Sequence, residues 1–155
     1  MRKIIEVTLA ALATLMTIVP VVAPATGTAT ASLTVPISCD VSATGPINFG
    51  SWLPGTTSST MSTTISEPTG NQVVTPDISG TTWTGTGGTP PTFAVGQTKW
   101  AVDPTPPTTS LTGSPVGIGA TIGPGSSKII NLNVAVPAGQ TADAYTQTIT
   151  LGVTC

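Results

Sequence analysis

The 155-residue chain has no histidine. That removes His-based catalytic triads and the commonest zinc ligand sets. Charge is scarce too, with Lys and Arg numbering 4 and Asp and Glu 6. Beyond the N-terminus the cations are Lys99 and Lys128, against Asp40, Glu67, Asp77, Asp103 and Asp143. Nothing here can build the basic patch that neutralises phosphates, which argues against nucleic acid as a partner. Acid unfolds proteins largely by protonating paired carboxylates and charging buried histidines. With few of the first and none of the second, pH has few handles on this chain, as suits a durable protein outside the cell. Asn48, Asn71, Asn131 and Asn133 all lack Ser or Thr two positions on, so N-glycosylation is not expected.

Catalytic constellations are missing as well. The four aspartates Asp40, Asp77, Asp103 and Asp143 have no D-x-D spacing to recommend a calcium loop. The Gly-rich GTGGTPP stretch lacks the lysine and the strand–loop–helix context of a phosphate loop. The expectation is a non-enzyme with no cofactor and no metal.

Cysteine is limited to two residues, Cys39 and Cys155. The final stretch AYTQTITLGVTC alternates strictly, with Tyr145, Gln147, Ile149, Leu151, Val153 and Cys155 in one set and mostly threonines in the other. Period-two alternation marks a strand with one buried face. The segment SLTVPISCDV alternates likewise, placing Leu33, Val35, Ile37, Cys39 and Val41 together. Both cysteines thus lie on apolar faces, one near each end of residues 32–155. An intrachain Cys39–Cys155 disulfide is the expectation, with two buried thiols or an intermolecular bridge as alternatives.

A disulfide needs an oxidising compartment. Arg2 and Lys3 precede the apolar run IIEVTLAALATLMTIVPVVA, and small residues follow up to Ala29-Thr30-Ala31. This is the layout of a signal peptide, cut after Ala31, with Ala25 as the other candidate site. Glu6 and Pro20 depart from the pattern. A retained membrane anchor is the alternative. A type IV pilin-like helix ranks third, because no small residue follows Lys3. All three readings imply export, and the only membrane contact they allow is through this segment. Residues 1–31 are therefore read as the signal peptide and residues 32–155 as one secreted domain.

That domain reads as short strands separated by Gly/Pro turns. Threonine is its commonest residue, β-branched and polar without charge. Thr57 to Ile65 places Met61, Thr63 and Ile65 inward; SKIINLNVAV places Ile130, Leu132, Val134 and Val136 inward and Asn131 and Asn133 outward. TFAVGQTKWAV reads as a hairpin about Gly96-Gln97. Pro54-Gly55, Gly70-Asn71, Gly123-Pro124-Gly125 and Pro137-Ala138-Gly139 read as turns. Sustained helical periodicity is missing after residue 31. The fold class expected is all-β, an immunoglobulin-like antiparallel β-sandwich with Greek-key connections. Tyr145, the only tyrosine, stands at a strand entry, where it either makes a tyrosine corner or fills the core at a turn; both fit a sandwich. Trp52, Trp83 and Trp100 lie in or beside loops, where they either fill the core or stack on sugar rings.

INFGSWLPGT, ISGTTWT, FAVGQTKW and VPAGQTADAYTQTITLGVTC together resemble archaeal exported immunoglobulin-like surface domains. The ends also resemble spore-coat-U-type pilin domains, from which this chain departs in its terminal cysteine and its middle. Both resemblances imply an exported sandwich with a structural or adhesive role. The reading is a subunit of a surface filament or coat. Leu33, Val35 and Ile37 either pair within their own domain or act as a donor strand for a neighbour. The expected partners are further copies of the chain or other surface proteins. The alternative is a carbohydrate-binding or adhesive module.

Overall fold

A computed structural model describes residues 30–87 and 91–154. The chain falls into two compact units, Met1–Thr34 and Val35–Cys155. Of the first, only residues 30–34 are described; they have no regular structure, and Leu33 is exposed. Apart from its last two residues, the expected signal peptide lies outside the described residues, and so does Cys155.

The second unit is all-β. Its strands are β1 (Ser42–Ala43), β2 (Met61–Glu67), β3 (Thr75–Gly80), β4 (Trp83–Gly85), β5 (Thr92–Phe93), β6 (Thr98–Val102), β7 (Thr109–Ser110), β8 (Val116–Gly117), β9 (Ser126–Val134), β10 (Tyr145–Thr146) and β11 (Ile149–Thr154). One sheet runs β1-β2-β9-β6-β7; two smaller ones run β10-β4-β5 and β11-β3-β8. Every pairing is antiparallel. The small sheets continue one another, because β3 and β4 together face β11 and β10. At the junction the Thr81 N–H donates to the Thr148 carbonyl (2.9 Å) and the Thr148 N–H to the Thr81 hydroxyl (3.0 Å).

The layers meet through the inward sets that alternation defines. Ile65, Trp100, Ile130 and Leu132 from the large sheet pack with Ile78, Val74, Leu111, Ile118 and Ile122. Each such side chain contributes about 1.5–3 kcal/mol when fully buried. A second cluster joins Trp83, Phe93 and Val134. The turns expected at Gly55, Gly125 and Gly139 form, each glycine at a positive φ of 81°, 67° and 79°; a Cβ would strain these positions.

Two expectations need correction. Residues 33–41 form no strand, and Leu33, Val35 and Ile37 are 88%, 68% and 73% exposed. TFAVGQTKWAV is not a hairpin: β5 pairs with β4, β6 with β9 and β7, and a 3-10 turn over Val95–Gln97 carries the chain between sheets. Asn131 stands on the outward face of β9 between the core residues Ile130 and Leu132, yet it is covered there rather than open to solvent: its side chain accepts from Ser62 (2.8 Å) and donates to Asp103 (3.0 Å).

A buried polar relay ties the two layers together. The Trp83 Nε1–H donates to the Thr98 hydroxyl (2.9 Å), which donates to Gln147 Oε1 (2.7 Å). Gln147 Nε2 then donates to the Thr81 carbonyl (2.7 Å). Thr98→Val keeps the shape but strands the indole N–H and the amide oxygen. The expected loss is about 2 kcal/mol in urea denaturation, with Thr98→Ser restoring most of it.

Candidate strand-docking seam

The last strand shows the expected alternation, yet its apolar set is only half covered. Tyr145, Gln147, Ile149, Leu151 and Val153 are half-buried, whereas Thr146, Thr148, Thr150 and Thr154 are exposed. The reason is position: among the described residues β11 has a hydrogen-bonded neighbour, β3, on one side alone. Across the gap stands the opposite edge of the large sheet, where β1 covers only Ile65 and Ser66 of β2. The irregular segment after β1 brings Ile47 and Phe49 to the same gap.

The result is a seam between the two layers. One cleft of about 470 Å³ is lined by Ile47, Phe49, Thr63, Gln147, Ile149 and Leu151, and no charged side chain reaches it. Phe49, Trp83 and Tyr145 also line a second cleft of about 500 Å³, bounded by Trp52, Leu53 and Asp143. The floor is a run of rings. Phe49 meets Trp83 edge-on at 6.0 Å, Trp83 stacks on Phe93 at 5.4 Å, and Phe93 tilts against Tyr145 at 5.1 Å.

Local hydrogen bonds fix the seam's upper end. The Tyr145 hydroxyl donates back to the Thr141 carbonyl (2.7 Å), four residues upstream, and accepts from Gln140 Nε2 (2.6 Å). This is the tyrosine-corner geometry anticipated at that strand entry. Asp143 accepts from the Gly87 N–H (3.1 Å), the Ala144 N–H (2.7 Å) and the Thr86 hydroxyl (3.1 Å). Chiefly through the Gly87 N–H, these donors hold its carboxyl below the ordinary aspartate value of 3.8. A carboxyl whose folded pKa is depressed adds stability above its unfolded pKa and loses it as pH falls through the folded one. Asp143→Asn should therefore lower the melting temperature at pH 7. The gap from the unmodified protein should close on acidification below 3.8. Thermal melts of the two proteins across that range check this.

Residues 33–37 form no strand, but the segment is held at Pro36 and Ser38. The Ser38 N–H donates to Asn71 Oδ1 (3.0 Å), the Asn71 N–H to the Ser38 carbonyl (2.9 Å) and Asn71 Nδ2 to the Pro36 carbonyl (2.8 Å). Next along, Cys39 packs partly buried against the main core. The far end of the chain comes to the same neighbourhood, since Thr154 lies opposite Thr75.

Of the three tryptophans, Trp83 and Trp100 are 8% and 6% exposed and belong to the core. The exposure that sugar stacking requires is met by Trp52 alone, at 40%, with its Nε1–H donated to the Phe49 carbonyl. Asp40 accepts from the Thr69 hydroxyl, Asp103 from the Asn131 amide, and Asp143 from the Thr86 hydroxyl and the Gly87 N–H, so each aspartate has partners of its own. The chain matches no protein-family model, no curated protein and no solved structure.

Proposed function

We propose that the chain is an exported structural subunit of a surface filament or coat, joined to its neighbour when Leu33, Val35 and Ile37 of one copy dock into the seam of the next. One observation carries this reading. An uncharged arm with apolar residues at every second position lies exposed in a molecule whose final strand leaves an edge open beside an uncharged cleft. Residues two apart on a strand stand about 7 Å apart. The seam offers apolar residues on both walls, Ile47 and Phe49 on one and, at that strand spacing, Ile149 and Leu151 on the other. An added strand would bond its backbone to β11 and bury its side chains between those walls, the mode of β-strand addition. It would also remove an exposed edge, which is an aggregation hazard in a secreted protein. Pro36 gives up one ladder donor and fits where its N side faces out of the sheet. Docking is head to tail, so each copy leaves a free arm and a free seam, and a rotation that does not close into a ring propagates as a fibre.

Supporting features fit the same picture. The tyrosine corner and the two facing antiparallel layers favour the immunoglobulin-like Greek-key arrangement. Chain ends converging beside residues 71–75 favour a Cys39–Cys155 bond that would fix the arm's root while leaving the arm itself loose. Val35→Asp with Ile37→Asp tests the joint. The variant should fold and stay monomeric under conditions in which the unmodified protein polymerises; polymers of normal length from the variant would refute it.

The exposed indole of Trp52 beside the second cleft supports the alternative, a carbohydrate-binding module. On that reading oligosaccharide quenches a red-shifted component of the tryptophan emission, leaving the blue-shifted emission of Trp83 and Trp100 untouched.

A further inference from the structure

Only 6% of the residues carry charge, whereas soluble surfaces usually hold about 25–35% Lys, Arg, Glu and Asp. The hydration of this surface has to come from uncharged groups, and hydroxyls are the commonest ones. Several hydroxyls serve the fold instead. Thr56 donates to the Leu53 carbonyl (2.6 Å), Thr112 to the Ser114 carbonyl (2.7 Å), and Thr98 belongs to the buried relay. One segment differs. Residues 103–110, DPTPPTTS, lead from the end of β6 into β7. Thr105, Thr108, Thr109 and Ser110 are all exposed there, and none of the four hydroxyls has a hydrogen-bond partner. The backbone, by contrast, is fastened. The Thr105 N–H donates to the Val102 carbonyl (3.0 Å) and the Asp103 N–H to the Ile129 carbonyl (3.0 Å). Asn131 Nδ2 reaches the Thr105 carbonyl (3.4 Å), and Pro107 is buried. Pro104, Pro106 and Pro107 fix their own φ and keep the residues before them extended.

We propose that this loop is a site of O-glycosylation, with Thr105, Thr108, Thr109 and Ser110 as acceptors and the attached sugar supplying hydration that side-chain charge does not. The co-substrate is a phosphate-activated sugar, brought by a glycosyltransferase of the exporting cell. The acceptor oxygen attacks the anomeric carbon as a base of the transferase takes the hydroxyl proton. The bond from that carbon to the donor phosphate oxygen breaks, and the phosphate leaves with the electron pair. A threonine in the middle of a sheet presents its hydroxyl on a paired strand. This loop presents four hydroxyls in six residues on an extended, stiffened, exposed stretch, with no side-chain bond to break first. Its position suits a bulky group as well. In the sheet order β1-β2-β9-β6-β7, the loop enters the edge opposite β1, and the seam lies beside β1. Sugar here covers an exposed strand edge and leaves the seam clear. The site stands whether or not the arm docks on a neighbour.

The test uses the full protein taken from the cells that export it. Lys99 and Lys128 are the only cations beyond residue 31, so trypsin isolates the whole loop in one peptide, residues 100–128. That peptide should carry hexose or N-acetylhexosamine increments, and electron-transfer fragmentation should place them on Thr105, Thr108, Thr109 or Ser110. The variant combining Thr105→Val, Thr108→Val, Thr109→Val and Ser110→Ala, made in the same cells, should return the peptide to its unmodified mass. It should stay folded, because the four side chains are exposed and unbonded, and it should salt out at lower ammonium sulfate than the parent. The peptide from the unmodified protein keeps the test decisive even if the variant does not fold. A 100–128 peptide without added sugar overturns the proposal, and so do sugars confined to other residues. A variant as soluble as the parent overturns the hydrating role.

Discussion

On the proposed Cys39–Cys155 bond, serine in place of Cys39 is expected to cost the domain about 4–5 kcal/mol, the value that chain entropy gives for opening a loop of more than a hundred residues. Marginal domains have only about 5–15 kcal/mol in total, so this one change takes the protein close to unfolding at ambient temperature. The melting temperature should fall by about 15 °C. Cys155→Ser should cost the same. The double variant should cost no more than either single one, since both remove one bond. Additive losses would mean that the cysteines act separately, each packed as an apolar side chain. Non-reducing mass spectrometry of the unmodified protein gives the complementary readout: the Cys39 and Cys155 peptides should appear linked within one chain.

What the sequence made legible depended on whether the described domain offers a segment a surface to pack on. In β9 the period of two correctly turned Ile130, Leu132 and Val134 inward, because the core that receives them is built from the other strands of the same domain. The tyrosine corner was also readable, since its acceptor is only four residues upstream. Alternation failed for Leu33, Val35 and Ile37. It says which face a strand would bury, not whether this chain provides the surface to bury it against. Turn chemistry at Gly96-Gln97 was real but ambiguous: a tight turn joins two neighbours in one sheet or carries the chain from one sheet to another, and the second happens here. Asn131 keeps its outward face but is covered there, because Ser62 and Asp103 bond its amide at the sheet surface, and no periodicity encodes those partners. The seam itself carries no motif. It arises from where β1 stops along β2 and from β11 being last in its sheet. The two tryptophans assigned to the core could not be told from exposed ones by position alone, since both stand beside loops.

Glu67 was readable and easy to pass over. Thr63 and Ile65 face inward in β2, and the same period carried two residues further points Glu67 inward as well. Its burial explains why residue 70 is glycine. A methyl group there would collide with Glu67 Oε1, lie 2.6 Å from its Cδ and stand 2.8 Å from the Ser38 carbonyl. The backbone oxygen cannot swing aside as a side chain can, because Asn71 holds it. Gly70→Ala is therefore expected to destabilise by about 3 kcal/mol, the upper part of the range for overpacking. Part of that is steric and part is the displacement of a buried carboxylate. Glu67→Ala separates them. Alone, it removes an unpartnered charge and leaves a small void, two effects of opposite sign, so its net cost should be under about 1 kcal/mol. Combined with Gly70→Ala, it gives the new methyl group the vacated space and should recover about 2 kcal/mol, a coupling of the size seen between residues in direct contact. Urea denaturation of the four proteins completes the cycle. If Gly70→Ala costs the same with and without the carboxylate, the collision is with the Ser38 backbone alone, and the arm's root rather than the acid dictates the glycine.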